Sequence, residues 1–237
     1  MNERFRTDYG YNLHISKLVE CEQDGYAMPL IKKINAYPSS LIGFNYVKTS
    51  KKHDNGVHFY LDDYQFERVW NQPERYLDML RKFNFVFTPD FSLYMDMPIP
   101  LQIYNIYRSR LLGAYWQRKG INVVPTISWS SEKSYDFAFS GVEQGGVVTV
   151  STVGAVRNKE AIQNWINGMR EMIKRIKPKT ILVYGKPIAF DYKEIEVIYY
   201  NNTNNERIKK WVEEERQALV QADLARETEQ PMQSYLA

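Results

Sequence analysis

Two aspartates stand where the sequence predicts strands to end, and a carboxylate pair in such a place can do chemistry. Asp62 follows the apolar run 57–61, and Asp90 follows the run 85–88. Parallel strands end at one edge of a sheet, so both side chains are expected at that edge. A carboxylate pair can hold a divalent cation or transfer protons. We therefore take Asp90 and Asp62 as the candidate catalytic residues.

Each aspartate also has a purely structural interpretation. Asp62 has the spacing of a helix N-cap, with Gln65 three residues later as in a capping box. Asp90 lies in the sequence Thr88-Pro-Asp-Phe-Ser92, where an aspartate commonly closes an Asx turn. Structural roles therefore stay open for both residues, above all for Asp62.

Six further residues lie at the ends of predicted strands and form a candidate ligand-binding set. The turn 151–154 precedes a helix that Asn158 can cap, so its backbone N–H groups can face a phosphate. That turn lacks both the P-loop and the dinucleotide-binding glycine patterns. An aromatic face can stack a base, and a lysine amine can meet an anionic group. The set comprises Trp129, Ser151, Thr152, Gly154, Tyr184 and Lys186.

Histidine and cysteine usage argues against several kinds of site. His14, His53 and His58 have no HxH or HExxH spacing, which argues against histidine-rich metal hydrolases. Cys21 is the only cysteine, so neither an intramolecular disulfide nor a multi-cysteine zinc site can form. We predict no metal site and leave any cofactor open. A single cysteine fits a reducing compartment, so a cytoplasmic location is expected.

Strand-like and helix-like segments alternate from residue 41 onward, which is typical of parallel strand pairing. The helix-like segments are 62–83, 101–119 and 158–177, and the strand-like ones are 41–47, 57–61, 85–88, 121–129, 137–139, 147–153, 180–184 and 196–200. Three long helices are too few for a regular eightfold barrel. We predict a single α/β domain with an irregular or incomplete (β/α) barrel-like sheet. A doubly wound parallel sheet is the second choice.

Composition divides the chain of 237 residues into three parts. Residues 1–40 predict an irregular N-terminal lead-in, residues 41–202 the α/β core domain, and residues 203–237 a charged C-terminal helix and tail. The formal net charge of +3 is smaller than that of a dedicated nucleic-acid-binding protein. No run approaches the roughly 18 apolar residues that a membrane span needs, so no membrane association is expected.

The run from about Ile42 to Tyr200 resembles an uncharacterised family, the domain of unknown function 4417, whose members occur among phages and bacterial mobile elements. Short matching segments carry this resemblance: 28–31 (MPLI), 88–92 (TPDFS), 107–110 (YRSR), 120–125 (GINVVP) with Trp129, 140–141 (SG), 151–154 (STVG) and 183–185 (VYG). The resemblance implies a phage setting and supplies no activity. The charged segment after Asn205 lies outside it.

Two kinds of function remain open at this point. One is a phage or mobile-element accessory protein that acts by binding a protein or nucleic-acid partner. The alternative is a small-ligand or nucleotide-handling enzyme with its site at the C-terminal ends of the strands. The first is slightly favoured, because spacing alone assembles no catalytic constellation. The oligomeric state is left open.

Overall fold

Short parallel strands, arranged in chain order, form the centre of the protein. The computed structural model describes residues 5–23 and 25–201. One sheet has the order β1-β2-β3-β4 and a second has the order β5-β6-β7, and every neighbouring pair is parallel. The strands are β1 (Leu41–Gly43), β2 (Gly56–His58), β3 (Phe85–Phe87), β4 (Val123–Val124), β5 (Val147–Ser151), β6 (Thr180–Tyr184) and β7 (Glu196–Tyr200).

The two sheets meet just beyond β4. Thr126 pairs with Thr149 of β5 in parallel register. Two backbone hydrogen bonds hold this junction, from Ile127 N to Thr149 O at 2.8 Å and from Thr149 N to Pro125 O at 3.0 Å. The second sheet therefore continues the first, and β5 lies beside the extension of β4.

One face of the combined sheet encloses a core to which every strand contributes. The cluster includes side chains of each strand or of the residues just beyond it, such as Leu41, Tyr60, Phe87, Val124, Val147, Leu182 and Tyr200. The Tyr200 hydroxyl donates to the carbonyl of Pro38, just before β1. Within the described residues no backbone ladder joins β7 to β1. The sheet is thus an incomplete barrel, and the predicted α/β fold is confirmed.

Two long helices cover the outside of this sheet. They are α5 (Ile99–Arg118), which connects β3 to β4, and α7 (Lys159–Ile176), which connects β5 to β6. The Asn158 side chain caps α7 by accepting from Ala161 N at 2.8 Å, and Pro178 follows its C-terminus. The short helices are α1 (Phe5–Gly10), α2 (Leu13–Ser16), α3 (Glu67–Asn71), α4 (Leu77–Leu80) and α6 (Tyr135–Ala138).

The structure differs from the sequence expectations in three elements. The predicted strand 41–47 is a strand only over Leu41–Gly43, and Phe44–Tyr46 form a 3-10 turn. The predicted helix 62–83 is broken into 3-10 turns and the short helices α3 and α4, with Pro73 at the break. The predicted strand 137–139 is wrong, because Phe137 and Ala138 belong to α6. An apolar run of three residues cannot distinguish a strand from one turn of a buried helix.

The expectations for the two ends of the chain have different outcomes. Residues 5–16 of the expected lead-in contain α1 and α2, and Ile15, Met28 and Ile31 of that region are buried. The expected charged helix at 203–237 lies outside the described residues. In the part of the chain that is described, no helix is long and apolar enough to cross a membrane.

Candidate functional site

Asp90 lies three residues beyond the end of β3, at the edge of the sheet where the strands end. Two hydrogen bonds hold the backbone just before it. Thr126 N donates to Thr88 Oγ1 at 2.8 Å, and Thr126 Oγ1 donates to Thr88 O at 2.7 Å. Because Thr88 and Thr126 belong to neighbouring strand ends, these bonds fix where the chain leaves β3 and hence where Asp90 stands.

The carboxyl group of Asp90 is electrostatically perturbed. Burial raises the pKa of Asp90 to about 7, and the negative charge of Asp63 acts in the same direction. The hydroxyl of Ser128, beyond β4, acts in the opposite direction and lowers the pKa. At neutral pH, protonated and ionised forms of Asp90 are therefore both populated. Such a group can donate or accept a proton without a large energetic penalty.

The second carboxylate of this site is Asp63 and not its neighbour Asp62. Both oxygens of Asp63 accept from Ser92 N at 3.2 Å, and Oδ1 also accepts from Ser92 Oγ at 2.9 Å. Asp62 is exposed, and its side chain forms no hydrogen bond with the N-terminus of the 3-10 turn that follows it. The position after a predicted strand directed attention to Asp62, whose side chain accepts from Gln65 Nε2 at 3.4 Å, while the adjacent carboxylate has the contacts with Ser92.

Helix α5 holds the loop that contains Ser92. Asn105 Nδ2 donates to Ser92 O at 2.7 Å, and Arg108 Nη2 donates to Asn105 Oδ1 at 2.7 Å. Arg108 also forms an ion pair with Glu67, and its guanidinium lies 3.7 Å from the centre of the Phe91 ring. A continuous set of contacts from α5 thus fixes the partner of Asp63. No local sequence pattern indicated this set of contacts, because its residues come from three separate segments of the chain.

Close to Asp90, three rings contact one another in the core that the sheet encloses. The Tyr60 and Tyr184 rings stack with centroids 4.7 Å apart, and the His58 ring lies 4.6 Å from Tyr184. Tyr60 shares a hydrogen bond of 2.8 Å with the hydroxyl of Thr149. Burial and the nearby Asp90 charge both raise the pKa of Tyr60. Tyr60 therefore stays neutral and supplies a hydroxyl group close to Asp90.

His58 is fully buried and remains neutral. Its Nδ1 accepts from Tyr60 N at 3.2 Å, so the ring proton resides on Nε2. Burial lowers the pKa of His58 to about 3. Within the described residues Nε2 has no hydrogen-bond partner. The sequence did not indicate this arrangement, because a single histidine in an apolar run reveals nothing about the residues of other strands.

At the ends of β5 and β6 the predicted ligand-binding residues mainly hold one another. Thr152 Oγ1 donates to Tyr184 O at 3.3 Å, and Ser151 Oγ accepts from Val153 N at 3.0 Å. Gly154 has a φ of 83°, which lets the chain turn towards α7. Lys186 is exposed beyond β6. The structure brings these residues together as a closely bonded turn.

Trp129 packs against helix α7. Its ring centroid lies 6.2 Å from that of Trp165 and 5.9 Å from that of Phe139. A Cβ atom added at Gly168 would lie 2.0 Å from Trp129 Nε1, so the indole rests on the backbone of α7. This face of Trp129 is occupied by protein, which leaves less ring surface for the base stacking that the sequence suggested.

A surface groove of about 500 Å³ lies at the opposite end of the molecule, beside the start of β4 and the C-terminus of α5. Its lining includes Lys32, Lys33, Gln117, Arg118 and Asn122. None of the candidate site residues belongs to that lining. In the described part of the chain, no group of three or more His, Cys, Asp and Glu side chains is placed to hold a metal ion.

Comparison with known proteins gives the biological setting. The chain is 36% identical over 190 residues to the Gene 1 protein of Mycobacterium phage L5, covering 79% of this chain and 83% of that protein. It is 33% identical over 198 residues to the Gene 1 protein of Mycobacterium phage D29, covering 80% and 73% respectively. No solved structure matches. Residues 21–201 match the family described as "Domain of unknown function (DUF4417)", and the chain belongs to that family.

Proposed function

We propose that this phage-related protein is an enzyme that handles a small polar ligand at the ends of strands β2 to β4, with Asp90 as its acid–base group. The observation that supports this is the partly buried carboxyl of Asp90, whose pKa is raised to about 7. General acid–base catalysis is most efficient when the pKa of the catalytic group lies near the working pH. We also propose a cytoplasmic location, because a single cysteine fits a reducing compartment.

Asp63 has the complementary role in this proposal. It accepts hydrogen bonds with both oxygens, as a charged carboxylate does, and its charge favours the protonated form of Asp90. Two carboxyl groups whose surroundings differ in this way can divide the labour of an acid–base reaction. Asp63 is the carboxylate held in place by Ser92, and Asp90 is the group that gains and loses the proton.

The test is a thermal-shift panel of nucleotides, sugars and amino acids, each with and without Mg²⁺. A ligand of the wild type should raise its Tm by about one degree or more at concentrations well above Kd. Asp90→Asn should abolish that shift and Asp63→Asn should weaken it. Asp62→Asn is the matched control, since Asp62 is the exposed neighbour, and it should behave as wild type. A ligand whose shift survives in Asp90→Asn would overturn the proposal.

A second candidate function is binding of a protein partner, and exposed apolar side chains beside the same site support it. Tyr64 is 80% exposed, Tyr94 60%, Met95 64% and Leu101 52%. Asp63 and Ser92 bring Tyr64 and Tyr94 to the same region, and Gln102 holds the loop by donating to Tyr94 O. We call these four residues the apolar rim. Exposed apolar groups of this kind favour association with protein.

Charge indicates the kind of partner that the rim accepts. The exposed carboxylates Asp62 and Asp96 lie in the same two segments as the rim residues. Negative charge repels the phosphate backbone of a nucleic acid and attracts lysine and arginine side chains. A protein segment with apolar and basic residues is therefore the better match, and nucleic acid is the weaker of the two partner classes.

Affinity capture from phage-infected cells, with three versions of the full chain, tests this second function. The wild type should retain a partner that the double variant Tyr64→Ser, Tyr94→Ser loses. The double variant Val153→Ser, Val156→Ser is the control, because these exposed residues follow β5, and it should retain that partner. The purified partner must then bind the wild type and release in high salt. Equal capture by all three proteins would reject the apolar rim as a binding surface.

A further inference from the structure

Arg110 of α5 is a fully buried cation that forms no ion pair within the described residues, although the charge of Glu22 acts on it. Its Nε donates to Ser140 O at 2.9 Å, Nη1 to Thr126 O at 2.9 Å and Nη2 to Ala138 O at 2.8 Å. Burial lowers the pKa of Arg110 to about 10, so the group stays charged at neutral pH. Burying a charge is costly unless hydrogen bonds compensate it, and here three carbonyl dipoles do so.

One of those carbonyls belongs to Thr126, the residue at which the two sheets join. Thr126 pairs with Thr149 of the second sheet, and its N–H and hydroxyl both bond to Thr88 of the first. Arg110 takes the remaining polar group of Thr126, its carbonyl. The guanidinium therefore fixes the direction in which the chain continues beyond this junction.

The segment that continues from Thr126 carries a hydroxyl group that acts on Asp90. Ser128 lies two residues further on, and its hydroxyl favours the ionised form of Asp90 and so lowers its pKa. Ser130 ends the segment, where its Oγ donates to Gln102 Oε1 at 2.6 Å. Helix α5 thus holds both ends of the segment, with Arg110 at the start and Gln102 at the end.

We propose that Arg110 is a positioning residue for Asp90, which holds the segment Thr126–Ser130 so that the Ser128 hydroxyl meets the Asp90 carboxyl group. The surroundings of Arg110 leave little room for another arrangement. Gly141 has a φ of 74°, and a Cβ atom there would lie 3.1 Å from Arg110 Cγ and 2.6 Å from Pro29 O. A lysine in this slot lacks the planar fork that reaches three carbonyls at once.

The test is an NMR titration of the Asp90 carboxyl carbon in the wild type, Ser128→Ala, Arg110→Lys and the double variant. Asp63 and Tyr60 are the titratable groups that face Asp90, and both are unchanged in these proteins. Ser128→Ala should lower the ratio of ionised to protonated Asp90 at pH 7 about threefold, because one hydrogen bond to the charged form is lost. Arg110→Lys should shift it in the same direction.

The double variant decides whether Arg110 acts through Ser128. If it does, Arg110→Lys adds nothing once Ser128 is alanine, since the hydroxyl to be positioned is absent. Additive shifts, or an unchanged Asp90 titration in Arg110→Lys, would overturn the proposal. Arg118→Lys is the control, because Arg118 is an exposed arginine of the same helix, and it should leave the titration unchanged.

A measurement on the wild type keeps the inference testable if Arg110→Lys fails to fold. Coupling is reciprocal, so the Arg110 Nε–H resonance should change with pH at the midpoint of the Asp90 titration. A resonance that does not change through that range would contradict the proposal. The inference rests on the proposed Asp90 site, but its readout is a titration and not turnover. Failure of the ligand panel would therefore not be mistaken for failure of this proposal.

Discussion

Two regions at the same end of the sheet use polar side chains in opposite ways. At the ends of β5 and β6, the hydroxyls of Ser151 and Thr152 bond to the backbone of the turn and of the neighbouring strand. At the ends of β2 and β3, burial and the charge of Asp63 leave Asp90 with a raised pKa. The first region uses polar groups for stability, and the second retains an unfavourable carboxyl group. A cost that the fold tolerates is a reason to look for function there.

The largest expected effect tests whether the region beside β5 is structural. Gly168→Val should lower the free energy of unfolding by about 3 kcal/mol or more, because its side chain would enter the space of the Trp129 ring. Thermal or urea denaturation measures this loss. Arg170→Ala, at an exposed site of the same helix, should change stability by about 0.5 kcal/mol or less. A Gly168→Val protein as stable as wild type would show that the Trp129 ring moves aside without cost.

The next effect concerns stability against pH at the other region. The carboxyl of Asp90 has an ordinary pKa near 4 in the unfolded chain and one of about 7 in the folded protein. The folded state therefore binds this proton more tightly, and its stability falls as the pH rises from about 4 through 7. Asp90→Asn removes this loss. At pH 8 the variant should be more stable than wild type by about 1–3 kcal/mol, after allowance for partial exposure.

The same comparison at pH 4 supplies the internal control. At pH 4 the wild-type carboxyl is protonated in the folded state and about half protonated in the unfolded chain, so the advantage of Asp90→Asn should largely disappear. Asp62→Asn should show no such pH-dependent gain, because Asp62 is exposed. Chemical denaturation at both pH values measures the difference. An Asp90→Asn protein that is less stable than wild type at pH 8 would show that the Asp90 carboxylate stabilises the fold. Asp90 would then have the same kind of role as the hydroxyl groups at the end of β5.

The sequence predicted most of the strands and singled out Asp90 as a candidate, because both leave local signals. Apolar runs bounded by turn residues indicated where β2, β3 and β6 lie, and an aspartate directly after a strand was enough to select Asp90. The partners of Asp90 left no such signal. Ser128 lies beyond a different strand, and Asp63 is distinguished from Asp62 only by a contact with Ser92, 29 residues away in the chain. Contacts of that kind depend on how crossovers place the strand ends.

The smallest effect tests the hydroxyls that hold the turn after β5. Thr152→Val keeps the shape of the side chain and removes the bond to Tyr184 O, so it should destabilise the protein by about 1 kcal/mol. The loss should be the same at pH 4 and pH 8, because no titratable group is removed. Any ligand found in the thermal-shift panel should bind this variant as it binds wild type. Loss of that ligand with stability unchanged would move the binding site from Asp90 towards β5 and restore the phosphate interpretation of the turn.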